Sequence, residues 1–297
     1  MSNNTCPFCG SPHVNVHHPT VWNRSDMHVY QCERCDLVYL FPMLSEEEEK
    51  AFYCNYNEHV KSRLVNATES MEDQFEASLP EAGRRVSTIR DYLNSRMSIL
   101  EIGSATGAFL HLIRGDVREV LGIEPSIAHA KYMSSLGIPN VSEIAMLNMN
   151  SRDRFDGIAL FHVLEHIRNP LSSLQTLRKK YLTKEGVLWV EVPNVDDALL
   201  ALYQCKPFAQ FYYQAMHHYY YSPKTLQDVT YKAGFKTKEL IPIQRYDLSN
   251  HLDWLQHGKP GGAGKYSAIF PQSLNVAYTG CLKENFLCDT LLGIFQT

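Results

Sequence analysis

The chain has 297 residues, of which 44% are hydrophobic and 20% charged, and its formal net charge is −4. This length suits one α/β core with one or two small additions, and the composition is that of an ordinary globular protein. The negative charge and the lack of a basic tract argue against nucleic acid as the main partner, because phosphate binding requires clustered lysine and arginine. We therefore expect a small-molecule partner.

The N-terminus has neither the charged nor the apolar region of a secretion signal, and no apolar run approaches the roughly 18 residues needed to span a bilayer. We expect a cytoplasmic protein without membrane contact. Eight cysteines in a reducing compartment are not expected to form a disulfide framework.

Four of the cysteines are spaced as two pairs, Cys6 with Cys9 and Cys32 with Cys35. A two-residue gap lets two thiolates from one tight turn reach the same ion, and four thiolates complete a tetrahedral shell with no open position. The pattern predicts a structural zinc site in a module of residues 1–44, which is too short to build a sufficient apolar core alone. The alternative is two reduced or redox-active Cys-x-x-Cys turns.

A helical segment is predicted after the cysteine module. Ser45 and Glu48 have the spacing of a capping box, which marks a helix start. Charged helical sequence then continues to about residue 95. We predict a helical connector over residues 45–95 that covers the next domain.

Short apolar runs alternate with amphipathic stretches over residues 96–245. The runs are 98–102, 120–123, 157–161 and 186–192. Buried strands separated by helical segments predict an α/β domain of the Rossmann-like class, with a doubly wound and mostly parallel sheet. Ligands of such sheets bind at the carboxyl ends of the strands. The remaining residues, 246–297, are predicted to form a C-terminal extension or lid.

The first predicted strand ends in a glycine-containing turn. Gly103 and Gly107 allow the backbone to turn sharply and to approach a ligand closely. Glu124 ends the second strand, where an acidic side chain accepts hydrogen bonds from two ribose hydroxyls. The dinucleotide fingerprint is absent, because alanine stands at its second and third glycine positions. Glu101, two positions before the first glycine, suits the cationic amino group of S-adenosylmethionine better than a pyrophosphate.

This turn and four later motifs resemble those of the class I S-adenosylmethionine-dependent methyltransferases. The later motifs are at 155–158, 162–170, 186–194 and 231–235. The first motif of that family has a middle glycine, and this sequence departs from it at Ala105. The resemblance implies that Glu101, Gly103 and Gly107 hold the methionine part of the cofactor and that Glu124 holds the ribose. The full set of expected cofactor contacts is Glu101, Gly103, Ser104, Ala105, Gly107, Glu124 and His162; no residue of the segment 145–147, where adenine is expected, is assigned.

The cysteine module and the sequence after it narrow the resemblance to a subgroup. Phe41-Pro42 and a following helix with Tyr53 and Tyr56 are similar to the zinc-containing deoxysugar C-methyltransferases and related enzymes of sugar and secondary-metabolite pathways. The similarity spans about residues 6–245. It implies a hydroxyl or carbon of a nucleotide-linked sugar or related metabolite as the methyl acceptor.

Four residues are candidates for catalysis: Glu165, His166, His217 and Tyr56. Methyl transfer requires alignment of the acceptor atom and, for oxygen or carbon, removal of a proton. Histidine titrates near neutrality and a neighbouring carboxylate can orient it. The histidine of a Glu-His pair is a proposed base in the subgroup, which here is His166; His217 is the second candidate and Tyr56 the third. Alternatively, Glu165 and His166 only cap a helix and shape the pocket, and the aromatic segment 211–222 is core rather than a sugar-binding surface.

Three other functions remain open on sequence. An RNA methyltransferase would grip RNA with its cysteine module, but residues 1–44 carry only Arg24 and Arg34 as basic residues. A non-catalytic adaptor would have lost the acidic and glycine residues of the turn, which are intact. An NAD-dependent sugar oxidoreductase would need the missing fingerprint. The sequence determines neither the acceptor nor the oligomeric state.

Overall fold

A computed structural model describes residues 4–45, 47–49, 70–144 and 154–297 of the chain. Its strands are β1 (Val14–His18), β2 (His28–Cys32), β3 (Val38–Phe41), β4 (Ser98–Ile102), β5 (Glu119–Ile123), β6 (Asn140–Val141), β7 (Phe155–Phe161), β8 (Leu182–Pro193), β9 (Tyr219–Tyr220), β10 (Lys236–Ile243) and β11 (Thr290–Gln296). Its α-helices are α1 (Met71–Ile89), α2 (Ala108–Ile113), α3 (Ile127–Ser135), α4 (Pro170–Thr176), α5 (Ala198–Ala201), α6 (Lys206–Tyr212), α7 (Pro223–Lys232), α8 (Leu248–His257) and α9 (Gln272–Glu284).

The four predicted apolar runs form β4, β5, β7 and β8 of a seven-stranded sheet with the order β10-β11-β8-β7-β4-β5-β6. Neighbouring strands from β8 to β6 are parallel, whereas β11 is antiparallel to both β8 and β10. The prediction of a Rossmann-like, mostly parallel sheet is confirmed. The chain proceeds from β4 to β6 in one direction and from β7 to β8 in the other, so a ligand crevice opens between the ends of β4 and β7.

Both faces of the sheet are covered. Ile158 and Leu160 of β7 pack in one apolar layer, and Ala159 and Phe161 pack in the other. Successive side chains of a strand point to opposite faces, so a continuous apolar run is stable only where both faces are buried.

The last strand lies inside this sheet. Thr290 to Phe295 are all buried, and β11 pairs with β8 on one side and with β10 on the other. This differs from the expectation that residues 246–297 form an extension or lid. The reason is that an apolar run such as Leu291 to Phe295 must be covered on both faces, which a lid does not provide.

The cysteine module forms a second, antiparallel sheet of order β1-β2-β3-β9. Its fourth strand comes from far along the chain, with Val38 opposite Tyr220. Cys6 and Cys32 belong to the same apolar cluster as Leu100 of the large sheet. The described part of the cysteine module is therefore completed by a strand of the α/β domain and packs against it.

The connector begins as predicted. The Ser45 backbone N–H donates to Glu48 Oε2 at 2.7 Å and the Glu48 N–H donates to Ser45 Oγ at 3.2 Å, which is a capping box. Helix α1 is capped by Ser70 and buries Phe75, Ala82 and Ile89, which recur every seven residues and lie on one face. Within the described ranges, no helix combines the length and the apolar character needed to cross a membrane.

Candidate active site

The turn after β4 has the conformation that its glycines permit. Gly103 has φ of 75°, and a Cβ atom there would lie 2.6 Å from Val163 Cγ2, so a side chain would clash with the segment that follows β7. Gly107 has φ of 78° and precedes α2. Ser104 Oγ donates to the Glu101 carbonyl at 2.9 Å, which closes the turn internally.

Ala105 adopts a left-handed conformation, with φ of 46°, at the position where the resembled motif has glycine. Its backbone N–H donates to Glu124 Oε2 at 2.7 Å. The alanine therefore keeps the glycine-like path of the turn, at a conformational cost of about 1 kcal/mol or more.

Two carboxyl groups lie at the ends of neighbouring strands. Glu101 of β4 and Glu124, directly after β5, are only 4% and 8% exposed. The Glu124 oxygens accept N–H groups of Ala105 and Ser126, at 2.7 and 2.8 Å. By contrast, Glu101 Oε2 is buried and accepts no hydrogen bond from any described residue.

The environment of Glu101 disfavours its charged form. Burial, and secondarily the charge of Glu124, raise the pKa of Glu101 to about 8, although Arg85 opposes the shift. A buried carboxylate oxygen without a donor is costly unless a cation or hydrogen-bond donor reaches it. A ligand with an ammonium group fits this position, and the amino group of S-adenosylmethionine is one.

His162, at the end of β7, lies between two buried carboxylates. Its Nε2 is 3.2 Å from Glu191 Oε1 and its Nδ1 is 3.5 Å from Glu165 Oε1. Burial lowers the pKa of His162, but the two carboxylates outweigh this effect, so the pKa lies above its usual value. The His162 side chain therefore contacts the carboxylates of both Glu165 and Glu191.

Glu191 of β8 is a site residue that the sequence analysis missed. It is fully buried and binds Arg84 Nη2 at 2.6 Å and Arg85 Nη2 at 2.7 Å. Burial raises the pKa of Glu191, but His162 and the two arginines lower it well below the usual value. The sequence does contain a signal for Glu191, because it is a charged residue inside an otherwise apolar strand. Such a residue is rarely buried without partners.

Glu165, His166 and His217 come together. One ligand atom of each lies within 4.8 Å of the other two. The rings of His166 and His217 are 4.8 Å apart and nearly perpendicular. The short helical turn after β7 supplies Glu165 and His166, and the segment before β9 supplies His217. Two candidate bases from distant parts of the sequence thus share one site.

The aromatic segment 211–222 is largely core. Tyr212, Tyr213 and Tyr220 are buried and contact one another with ring centroids 5.0 to 5.7 Å apart. Tyr219 and Tyr221 are also buried, with stacked rings. The alternative that most of these rings are core residues fits their burial.

Two predicted positions cannot be placed. Tyr56 and the segment 145–147, where adenine was expected, lie outside the described residues.

The four paired cysteines of the N-terminal module cluster in space. All four Sγ atoms lie within 4.8 Å of one another, with Cys6 and Cys35 3.6 Å apart and Cys9 and Cys32 3.5 Å apart. Sulfurs about 2.3 Å from one tetrahedral ion are themselves separated by nearly 4 Å, so the cluster fits a four-thiolate metal site.

A cavity of about 860 Å³ lies between the cysteine module and the segment after β8. Its polar lining includes His17, Asp196, Lys206, Tyr213 and Lys224. It shares no lining residue with the turn after β4 or with the Glu165–His166–His217 group. The cavity is therefore separate from both of these residue groups.

Comparisons with known proteins identify the family and the fold of the chain. A methyltransferase-domain family model matches residues 73–240, more than half of the chain. A solved S-adenosylmethionine-dependent methyltransferase from Archaeoglobus fulgidus is 20% identical, and the match covers 76% of this chain and 97% of that chain with a TM-score of 0.53. A chain from the Haloferax volcanii complex that contains the Trm112 methyltransferase activator is 13% identical, over 85% of this chain and 97% of that chain, with a TM-score of 0.52. No curated protein matches the sequence.

The two structural matches show the same fold, and the family model covers the strands and turns that carry Glu101, Glu124, His162 and Glu191. The chain belongs to the methyltransferase-domain family and is an enzyme with the fold of S-adenosylmethionine-dependent methyltransferases.

Proposed function

We propose that this protein transfers the methyl group of S-adenosylmethionine to a hydroxyl or carbon of a small polar acceptor, such as a nucleotide-linked sugar or a related metabolite. The observation that carries the cofactor assignment is the buried Glu101 oxygen that accepts no hydrogen bond from the described residues. Glu101 lies on β4 near its carboxyl end, where ligands of such sheets bind, and suits a cationic amino group. The acceptor class is supported by the sequence resemblance to sugar and secondary-metabolite methyltransferases.

The geometry of the turn supports the proposed cofactor roles. Glu101 binds the methionine amino group, and the left-handed turn from Gly103 through Ala105 to Gly107 lets the ligand approach the backbone. Glu124 binds the ribose hydroxyls, because each of its oxygens has a second acceptor site beyond the backbone N–H that it already binds. Ser104 and His162 shape the crevice around the cofactor.

The Glu165–His166–His217 group activates the acceptor. In the reaction the acceptor atom attacks the methyl carbon, the bond from carbon to sulfur breaks, and the cofactor leaves as S-adenosylhomocysteine. The acceptor must lose a proton, and imidazole groups remove protons effectively near neutral pH. Tyr56 is a third candidate on the connector.

The four N-terminal cysteines bind a structural zinc ion. Four sulfur donors close the coordination shell, so this site holds the module together and does not bind substrate. An RNA substrate is disfavoured, because Arg24 of this module is already paired with Asp26 and Glu48.

Calorimetric titration of the zinc-loaded protein with S-adenosylhomocysteine, with NAD as control, tests the cofactor. We expect binding of the first compound alone. Binding of NAD, or of neither compound, would contradict the proposal.

Two variants separate the roles of the carboxylates. Glu101→Gln should weaken the binding of S-adenosylhomocysteine about 10-fold or more, since a charge-assisted hydrogen bond contributes about 1.5–3 kcal/mol. The same variant should bind methylthioadenosine, which lacks the amino acid part, as tightly as the wild type does. Glu124→Gln should weaken the binding of both ligands, because both contain the ribose. The exposed Glu119→Gln is the matched control and should weaken neither.

A further inference from the structure

Glu165, His166 and His217 are a complete set of metal-ligand side chains in one place. One donor atom of each lies within 4.8 Å of the other two. Their two chain segments are joined by a hydrogen bond from the His218 N–H to the Glu165 carbonyl at 2.8 Å. We propose that these three residues bind a divalent transition-metal ion such as Zn²⁺, and that this ion binds and ionises a hydroxyl of the acceptor. The role of the ion rests on the proposed function, whereas its binding does not.

Glu165 supplies the first reason. It is 1% exposed, and its Oε1 lies 3.5 Å from His162 Nδ1. Its Oε2 accepts no hydrogen bond from the described part of the chain. A buried carboxylate oxygen of this kind is stabilised by a cation or a hydrogen-bond donor that reaches it, and a metal ion is such a cation.

His166 is oriented as a metal ligand. Its Nδ1 lies 2.9 Å from the Met216 carbonyl oxygen, and a carbonyl only accepts, so Nδ1 carries the proton. Nε2 therefore has the lone pair that binds metals. Histidines in metal sites commonly donate their second ring N–H to a backbone carbonyl in this way.

His217 completes the set from another segment. Its residue is 8% exposed, and the amide nitrogen of Gln214 lies 3.0 Å from its Nε2. An amide nitrogen only donates, so the ring nitrogen that faces it is an unprotonated acceptor, and an ion would take over its lone pair from the Gln214 N–H. Unprotonated imidazole is the form that binds a metal.

The donor set indicates the kind of ion. Two imidazoles and one carboxylate suit zinc and the first-row transition metals, and three protein ligands leave an open position for substrate. In a tetrahedral shell with bond lengths of about 2.0–2.2 Å the ligand atoms lie about 3.3–3.6 Å apart. The three donor atoms, which lie within 4.8 Å of one another, reach this separation by side-chain rotation. The cysteine cluster differs, because its four sulfurs close the shell.

The open position gives the ion its role. A coordinated hydroxyl has a lowered pKa, as metal-bound water does. Its proton passes to solvent, the resulting alkoxide attacks the methyl carbon, and the bond from that carbon to sulfur breaks. The proposed ion thus narrows the methylated atom from a hydroxyl or a carbon to a hydroxyl oxygen.

The test is a Co²⁺ titration of the protein whose cysteine cluster is already zinc-loaded. We expect one equivalent to bind with d–d absorption bands and without the thiolate-to-cobalt bands that the cysteine cluster would produce. His217→Asn and Glu165→Gln should each weaken this binding by about 100-fold or more, because loss of a direct ligand costs at least as much as loss of an outer-shell partner. His218→Asn is the matched control, since its ring faces Glu49 at 2.8 Å, and it should bind Co²⁺ like the wild type.

Absence of d–d bands in the wild type at millimolar Co²⁺, or unchanged Co²⁺ binding by both ligand variants, would overturn the proposal. S-adenosylhomocysteine binding, measured in parallel, reports on the proposed function separately. Removal of the open-site ion should abolish methyl transfer while S-adenosylhomocysteine still binds; full turnover without the ion would leave an imidazole as the direct base and refute the catalytic role of the metal.

Discussion

Glu101 is a carboxyl group that folding places in an environment unfavourable to its charge. Burial and the nearby Glu124 raise its pKa to about 8. The folded chain thus holds this proton more tightly than the unfolded chain, whose carboxyl groups titrate near pH 4.3. The stability contributed by the protonated form is complete below that range and is lost as the pH rises through about 8.

We predict that Glu101→Gln raises the thermal midpoint of the ligand-free protein at pH 8, by about 2–4 °C for each kcal/mol of relieved desolvation. At pH 5 the difference should shrink, because Glu101 is then already protonated in the folded state. Thermal unfolding at both pH values measures this, with the exposed Glu119→Gln as control. A midpoint that Glu101→Gln lowers at pH 8 would refute the interpretation.

Ala105 has an unfavourable backbone conformation in the turn after β4. Its φ of 46° suits glycine, and the left-handed region costs other residues about 1–2 kcal/mol. Against this gain, glycine lowers the stability of the fold by about 0.5–1 kcal/mol, because it gives the unfolded chain more conformational freedom.

We therefore expect Ala105→Gly to stabilise the protein by about 0.5 kcal/mol or to leave it unchanged in urea denaturation. Ala108→Gly is the control three residues later, at the start of the regular helix α2, where the same change should destabilise by about 1 kcal/mol. Equal destabilisation by both variants would show that the turn imposes no strain on alanine.

At the scale of elements, one buried ion group attaches the connector helix α1 to the sheet. Arg84 and Arg85 extend from α1 to the carboxylate of Glu191 on β8. Arg85 also lies over the Phe161 ring, 4.7 Å from its centre. Helix α1 is therefore held through the same carboxylate that contacts His162.

Glu191→Gln should destabilise the protein by about 3 kcal/mol at pH 7, because two arginines lose their buried charge partner. The pKa of Glu191 lies well below its usual 4.5, so its stabilisation is present above that value and is lost as the pH falls further. The penalty should accordingly shrink at pH 3 in urea denaturation.

Glu81→Gln, which removes the more exposed partner of Arg84 on the same helix, is the comparison and should cost only about 0.5 kcal/mol. If the two variants cost the same, the buried ion group does not anchor α1.

The elements differ in how well the sequence predicts them. The strand at 98–102 matches its prediction in both bounds, because an apolar run flanked by polar residues and followed by Gly103 has a clear start and end. The position of β11 in the sheet is not predictable from local sequence. Its apolar run shows that it is buried, but its place between β8 and β10 depends on contacts about 100 and 50 residues away in the chain.

At the scale of the whole molecule, the cysteine module and the sheet share a core. Cys6, Cys32 and Tyr39 pack in the same cluster as Leu100 and Ile158. Pairing of β3 with β9 joins the two parts again. Separate unfolding of the module would expose apolar surface on the sheet domain.

Removal of the proposed zinc ion should consequently affect the entire fold. We predict that a strong chelator lowers the thermal midpoint of the main unfolding transition by several degrees, without producing an independent early transition. Cys32→Ser should reproduce this loss, and Cys281→Ser, at an exposed cysteine outside the cluster, should not. A separate low-temperature transition in calorimetry would show instead that the module unfolds alone.

The sequence by itself determined the features that depend on local pattern: the two Cys-x-x-Cys turns, the alternation of strands and helices, and the acidic and glycine residues after β4. Spacing and periodicity encode these because each involves residues within one turn or one strand. Only the tertiary structure brought Arg84 and Arg85 to Glu191, Tyr220 to Val38, and His217 to Glu165 and His166. Such contacts join segments about 50 to about 180 residues apart, and a single sequence carries no periodic signal for them because chain folding alone sets which distant segments meet.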